Sequence, residues 1–246
     1  MMSRLEWRVL SDGPRPAAAQ MAFDERLASL GVPVARFFTW HPPAVSLGFK
    51  QPIPAWLRPS EWSARGLALV ERPTGGGMAF HGSDVSLSVV VPRSSALPLE
   101  PIMRTVCQGA VQVCRAFSAE ATSIGAATAD IPTEGRITYC LTERSPYAVL
   151  IGSRKVGGFA VRRYPEGWLI QGSLLVRRLP GPLARALPLE LLQRIEREAM
   201  PLSPYGGLSE QAVARHWSER WPAWWDLAWE QAPRDSTPEV VVSGAS

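Results

Sequence analysis

The segment Arg72-Pro73-Thr74-Gly75-Gly76-Gly77-Met78-Ala79-Phe80-His81 places three consecutive glycines behind a hydrophobic stretch and ends on a histidine. Lacking Cβ atoms, such a run lets backbone N–H groups come close to a ligand and donate to it. A second glycine-rich segment, Gly152-Ser153-Arg154-Lys155-Val156-Gly157-Gly158, puts a lysine on a turn that opens a strand. Of 26 basic residues, only Lys50 and Lys155 are lysines. A compact amine at a glycine-flanked turn can exchange a proton, which a guanidinium cannot. The plainer alternative is a surface lysine, as most lysines are. Cys140 lies fifteen positions before Lys155, outside any apolar periodicity. By residue type it is either a small buried side chain or a thiol nucleophile. His81 is either a ligand-facing group or a loop histidine satisfied by backbone carbonyls. The three histidines are scattered without a carboxylate cluster, which predicts no metal site.

Strands and helices alternate irregularly around these residues. Leu5–Leu10, Val34–Thr39, Ala44–Gly48, Leu67–Arg72 and Val85–Val91 read as strands. Ala148–Ile151 and Gly158–Arg163 pair as a hairpin around Lys155, and Gly167–Val176 adds another strand. Helical spacing covers Ala17–Leu30, Ile102–Phe117, Leu187–Met200 and Ser209–Trp229. A short helix through Arg65 starts at Pro59-Ser60, with Ser60 as its cap. Residues 118–136 read as a long loop. Cys107 and Cys114 share a helical face and read as core. Trp217, Trp221, Trp224 and Trp225 share another, across a break expected at Pro222. Packing of that face onto the sheet is the favoured reading, with a docking surface as the alternative. Hairpins mixed with helices argue for a mixed α/β fold rather than a purely parallel sheet.

A chain of 246 residues with 46% hydrophobic residues and mean hydropathy near zero suits a single large globular domain with a short appendage. The expected division is 1–180 for the catalytic domain, 181–231 for a helical appendage and 232–246 for a Pro/Ser/Gly-rich disordered tail. No apolar run is long enough to span a bilayer, and the first residues lack a signal-peptide core. Three cysteines without metal-ligand spacing fit a reducing cytoplasm. The net charge of +4 permits an acidic protein partner without demanding one. Neither a nucleic-acid nor a membrane partner is expected.

The two glycine segments together resemble those of lipoate–protein ligases and protein octanoyltransferases. Trp7, Ser11-Asp12-Gly13-Pro14 and Ala18–Glu25 are similar to that family's opening strand and helix. Trp40-His41-Pro42-Pro43-Ala44-Val45-Ser46-Leu47-Gly48-Phe49-Lys50-Gln51 resembles its W-x-P-P-x-x-S-L-G-x-x-Q block, and Gln171-Gly172-Ser173 its strand after the lysine. The likeness runs from about residue 5 to 176, in five ordered blocks. It implies the mixed, largely antiparallel sheet flanked by helices that biotin and lipoate ligases share with class II aminoacyl-tRNA synthetases.

By that resemblance Cys140 matches the nucleophile of the cysteine-dependent octanoyltransferase branch. Lys155 would hold the acyl carbonyl and assist proton transfer, and a thiolate beside an ammonium can attack a thioester near neutrality. Arg72, Thr74, Gly75, Gly76, Gly77, His81, Gly157 and Gly158 would bind substrate. The implied reaction moves an octanoyl or lipoyl group from an acyl carrier protein to a lysine of a lipoyl domain. That domain would be a glycine cleavage H protein or a 2-oxoacid dehydrogenase acyltransferase subunit. No cofactor would be needed. The alternative is an ATP- and Mg-dependent lipoate ligase, supported by the triple glycine and opposed by the short chain after Val176. A third reading, a catalytically silent binder of lipoyl domains, rests on departures from the family pattern at Glu71, Phe159 and Ile170. Phe159 would shorten an acyl tunnel.

Overall fold

The computed structural model describes residues 5–117, 121–123 and 138–230, and side chains as far as residue 226. The tail expected at 232–246 and most of the loop expected at 118–136 lie outside the described residues. Ten strands and six helices follow in the order β1 (Arg8–Ser11), α1 (Ala17–Leu30), β2 (Val34–Phe38), β3 (Ala44–Leu47), α2 (Pro59–Ala64), β4 (Ala68–Glu71), β5 (Ala79–His81), β6 (Asp84–Pro92), α3 (Leu99–Phe117), β7 (Ala121–Ser123), β8 (Ala148–Ile151), β9 (Arg154–Tyr164), β10 (Gly167–Leu175), α4 (Gly181–Ala184), α5 (Leu189–Glu198) and α6 (Glu210–Glu230). Seven strands form one sheet in the order β1-β2-β6-β10-β9-β8-β7, and β4-β3-β5 form a smaller one. Among the described residues only the β1–β2 and β3–β4 strand pairs are parallel, so the architecture is the mixed, largely antiparallel one expected.

Alternation along β6 explains how the large sheet is covered. Val85, Leu87, Val89 and Val91 face the main core, with Ile102, Met103 and Val106 of α3 and Val213, Trp217 and Trp221 of α6. Val90 faces the other way, against Leu27 and Ala28 of α1. Trp7 packs edge-on to Trp225 at 4.6 Å and to Trp221 at 5.4 Å, and Phe37 meets Trp217 at 5.3 Å. Such pairs add about 0.5–1.5 kcal/mol each beyond the area they bury. This packing carries α6 straight through Pro222, where the sequence predicts a break. The tryptophan face is thus core, and the helices after residue 180 contribute to the same cores as the sheets.

Other expectations need correction. Ser60 lies inside α2, whose first residue is Pro59 and whose cap position is Arg58. Pro at the first helical position needs no hydrogen bond there, so the helix starts two residues earlier than a Ser60 cap would place it. β5, β7 and α4 are too short to show a period. Lys155 belongs to strand β9 rather than to the turn before it, which is Gly152-Ser153.

Candidate active site

The glycine segment leaves β4, turns back at Gly76 and re-enters as β5. Gly76 has φ +87°, a region that disfavours side chains, and a Cβ there would stand 3.1 Å from Arg72 Nη2. Arg72 holds the loop from inside. Its Nη2 donates to the carbonyls of Gly75 (2.8 Å) and Gly77 (2.6 Å), and its Nη1 to the carbonyl and hydroxyl of Ser46, both at 3.1 Å. All four acceptors are uncharged. Burial pulls the Arg72 guanidinium below the ordinary arginine range, and the negative charge that Cys140 can carry opposes that pull.

Cys140 follows Tyr139, which bridges Met78 in parallel fashion, and its N–H donates to the Met78 carbonyl at 2.8 Å. The Glu143 carboxylate fixes this turn by accepting the N–H groups of Thr138 (3.0 Å) and Tyr139 (3.1 Å). The Glu143 carbonyl in turn accepts from Lys155 Nζ at 2.9 Å, and Ser145 Oγ lies 3.2 Å from the same Nζ. Cys140 and Lys155 are therefore tied to one turn.

Lys155 reaches that turn because of a β-bulge. The β8–β9 register runs Val149↔Gly157 but Leu150↔Lys155, which leaves Val156 as the extra residue. Val156 in the bulge, and Phe159 and Val161 beyond it, belong to the main core. Lys155 instead shares a side with Gly158, whose imagined Cβ would come within 3.1 Å of its Cε. Lys155 is 3% exposed.

These elements enclose a cavity of about 270 Å³. Arg72, Gly76, Gly77, His81, Cys140 and Gly158 line it, and Lys155 stands behind Ser145 and Gly158. Thr74, Gly75 and Gly157 do not line it. Thr74 Oγ1 donates to Gln171 Oε1 at 2.8 Å, and Gln171 Nε2 donates to Asp24 at 2.6 Å. Asp24 pairs at 2.6 Å with the buried Arg36. Thr74 thus anchors the glycine loop to α1. Burial pushes the Asp24 carboxyl up, opposed by Arg36 and Gln171. Gly157 serves strand pairing: a Cβ would lie 2.1 Å from the Ser173 carbonyl oxygen.

Sequence reasoning missed Ser46, Asp84, Glu143 and Ser145 as site residues. Ser46 and His81 sit on neighbouring strands of the small sheet, where Ala44 is registered with His81. His81 Nε2 lies 2.8 Å from Ser46 Oγ, and its Nδ1 lies 2.8 Å from Asp84 Oδ2. Its partners are side chains, not backbone carbonyls. Among the described residues, no three His, Cys, Asp or Glu side chains cluster closely enough to hold a metal ion. His216, by contrast, packs between Phe117 and Trp224.

Phe159 lines the cavity, and its ring lies where a Cβ on Gly172 would fall, 2.1 Å from Cδ1. The ring therefore forms part of the cavity wall beside Gly172.

A family model described as the lipoyl protein ligase A/B catalytic domain matches residues 16–200. The chain belongs to that family. It is 34% identical over 181 residues to an octanoyltransferase LipM of Symbiobacterium thermophilum, covering 69% of this chain and 65% of that protein. The octanoyltransferase LipM of Geobacillus kaustophilus is 31% identical over 187 residues, covering 71% and 67%. The match thus spans about two thirds of the length of these relatives. A structure described as a bi-partite lipoate protein ligase and its E2 lipoyl domain, from Thermoplasma acidophilum, superposes with a TM-score of 0.66 at 18% identity. It covers 92% of this chain and 91% of that one. At such identity the likeness shows the fold.

Proposed function

We propose that this chain is an octanoyltransferase that works through a thioester on Cys140. The observation that carries this reading is the cavity itself. A half-buried cysteine stands in a largely apolar space with the buried cation Arg72 in its wall and a second, Lys155, behind Ser145 and Gly158, and the hydrogen-bond partners of both are uncharged. Burying unpaired positive charge is costly, and it suits a site where negative charge develops during reaction. The names of the LipM relatives support the octanoyl group.

The Cys140 thiolate attacks the carbonyl carbon of an octanoyl thioester on an acyl carrier protein and expels the carrier thiolate. The amine of a lipoyl-domain lysine then attacks the Cys140 thioester and forms an amide. Lys155 and the loop held by Arg72 stabilise the oxyanion in both steps. The solved pairing of a ligase with an E2 lipoyl domain on the same fold supports the acceptor class. So written, the reaction uses no ATP, metal or other cofactor. A cytoplasmic site of action suits both partners, and among the described residues no helix is long and apolar enough to cross a membrane.

The lipoate-ligase reading draws on the triple glycine and the shared fold, and it requires ATP. Incubation with octanoyl carrier protein should add one octanoyl mass, on the peptide that contains Cys140. Transfer from there to a lipoyl domain should proceed without nucleotide. Transfer that depends on ATP and leaves no adduct would overturn the proposal in favour of the ligase. Neither adduct nor transfer would leave a silent binder.

A further inference from the structure

A hydrogen-bond chain runs inward from the cavity, and its donors set its direction. Arg72 Nη1 can only donate, and it donates to Ser46 Oγ at 3.1 Å. The Ser46 hydrogen is then available to His81 Nε2. With Nε2 accepting, the His81 proton sits on Nδ1 and points at Asp84 Oδ2. Asp84 is held in place in turn. Its Oδ2 accepts from Ser86 Oγ at 3.1 Å and its Oδ1 from the Gly82 N–H at 2.9 Å. Trp40 stacks on the imidazole at 4.0 Å and 17°, while its Nε1 donates to Ser86 at 2.8 Å. The ring is fixed in plane, and the tautomer with its proton on Nδ1 is the one that lets Ser46 donate to Nε2. Ser46 and His81 line the same cavity as Cys140. Asp84 is 1% exposed, a carboxyl group buried behind the histidine it orients.

We propose that Ser46, His81 and Asp84 form the proton-accepting path for aminolysis of the Cys140 thioester, an inference that rests on the acyl-enzyme reading above. Ser46 Oγ has two lone pairs; one takes the Arg72 hydrogen and the other faces an incoming amine. The lysine nitrogen forms its bond to the acyl carbon, the C–S bond breaks, and that electron pair goes to Cys140 Sγ. The proton leaving nitrogen passes to Ser46 Oγ as the Ser46 hydrogen passes to His81 Nε2. The products are an amide, the Cys140 thiolate and an imidazolium held between Asp84 and Ser46. In the next round the thiolate attacks a new thioester, and the imidazolium proton goes to the departing carrier thiolate. An amine becoming an amide needs a base far more than a thiolate leaving group needs an acid. The dependence therefore falls on the second half of the cycle.

The test separates the two half-reactions. Wild type, Ser46→Ala, Ser46→Thr and His81→Asn are loaded with octanoyl-pantetheine, and adduct mass is followed over time. Lipoyl domain or hydroxylamine, whose attack on thioesters needs no protein base, is then added. Asparagine keeps a donor toward Asp84 but has no atom at Nε2. Loading and hydroxylamine release should stay within about threefold of wild type, while transfer to the lipoyl domain falls by about a hundredfold or more in Ser46→Ala and His81→Asn. Ser46→Thr, which keeps the hydroxyl, should recover most of that loss. Wild-type transfer rates in Ser46→Ala and His81→Asn would overturn the inference. So would equal slowing of loading, hydroxylamine release and transfer, which marks a structural role. If Ser46→Ala fails to fold, Ser46→Thr and His81→Asn decide by the same criteria. No adduct on the wild type would instead sink the acyl-enzyme mechanism, and this inference with it.

Discussion

Cys140→Ser should eliminate the acyl adduct and lower octanoyl transfer by about a thousandfold or more, because a hydroxyl in the same place is a far weaker nucleophile than a thiol. The three cysteines provide their own controls. Cys107 and Cys114 lie on the buried side of α3, in the main core. Burial pushes the Cys107 thiol up, and that of Cys114 up to about 12. Both stay protonated and inert at pH 7, so Cys107→Ser and Cys114→Ser should keep the adduct. Their cost is in stability, about 1–3 kcal/mol each for a buried hydroxyl without a full set of partners. Cys140 is only half-buried and faces the cavity, so Cys140→Ser should unfold at the wild-type temperature. Intact-mass spectrometry and thermal melts on the three variants check all of this. An adduct that survives Cys140→Ser would end the nucleophile assignment.

Much of the fold is legible in the sequence because its long elements carry strong periods. The bounds expected for α1 and β8 are those observed, and β6 shows its alternation even though all nine of its residues are buried. Glycine at 76 and 158 announces close packing by residue type alone. What is not legible is contact between distant strands. Ser46 and His81 are 35 positions apart and meet only because β3 and β5 pair. The β9 bulge is equally silent: period-2 alternation puts Lys155 with Gly157 and Phe159, whereas one extra residue moves it to the side of Gly158. That single shift separates a core-facing strand position from one that reaches the Cys140 turn. Thr74 illustrates the converse. Its place in the glycine segment marks it as a ligand contact, yet its hydroxyl is spent on Gln171.

The same bulge makes Lys155 the position where a conservative change should be most damaging. Lys155→Arg should lose about two orders of magnitude in turnover or more, the usual size of a lost oxyanion donor. The ammonium already gives two of its three hydrogens to the Glu143 carbonyl and Ser145 Oγ. An imagined Cβ on Gly158 would lie 3.3 Å from Nζ, so a planar guanidinium has no room on that side without displacing backbone. Arginine keeps the charge but replaces a compact ammonium with a planar fork, so it isolates shape from electrostatics. Lys155→Met does the reverse: it keeps the length, removes the charge and leaves two buried acceptors short of a donor, at about 1–3 kcal/mol for each. If the charge alone mattered, arginine would retain turnover and methionine would not. If Lys155 only tethers the Glu143 turn, methionine should lower the melting temperature while arginine stays fully active. The expected outcome is that both variants fold, methionine melts lower, and neither transfers octanoate at more than about a hundredth of the wild-type rate. Full activity in Lys155→Arg would reduce this residue to a structural tether, and the buried charge facing the reaction would then be that of Arg72 alone.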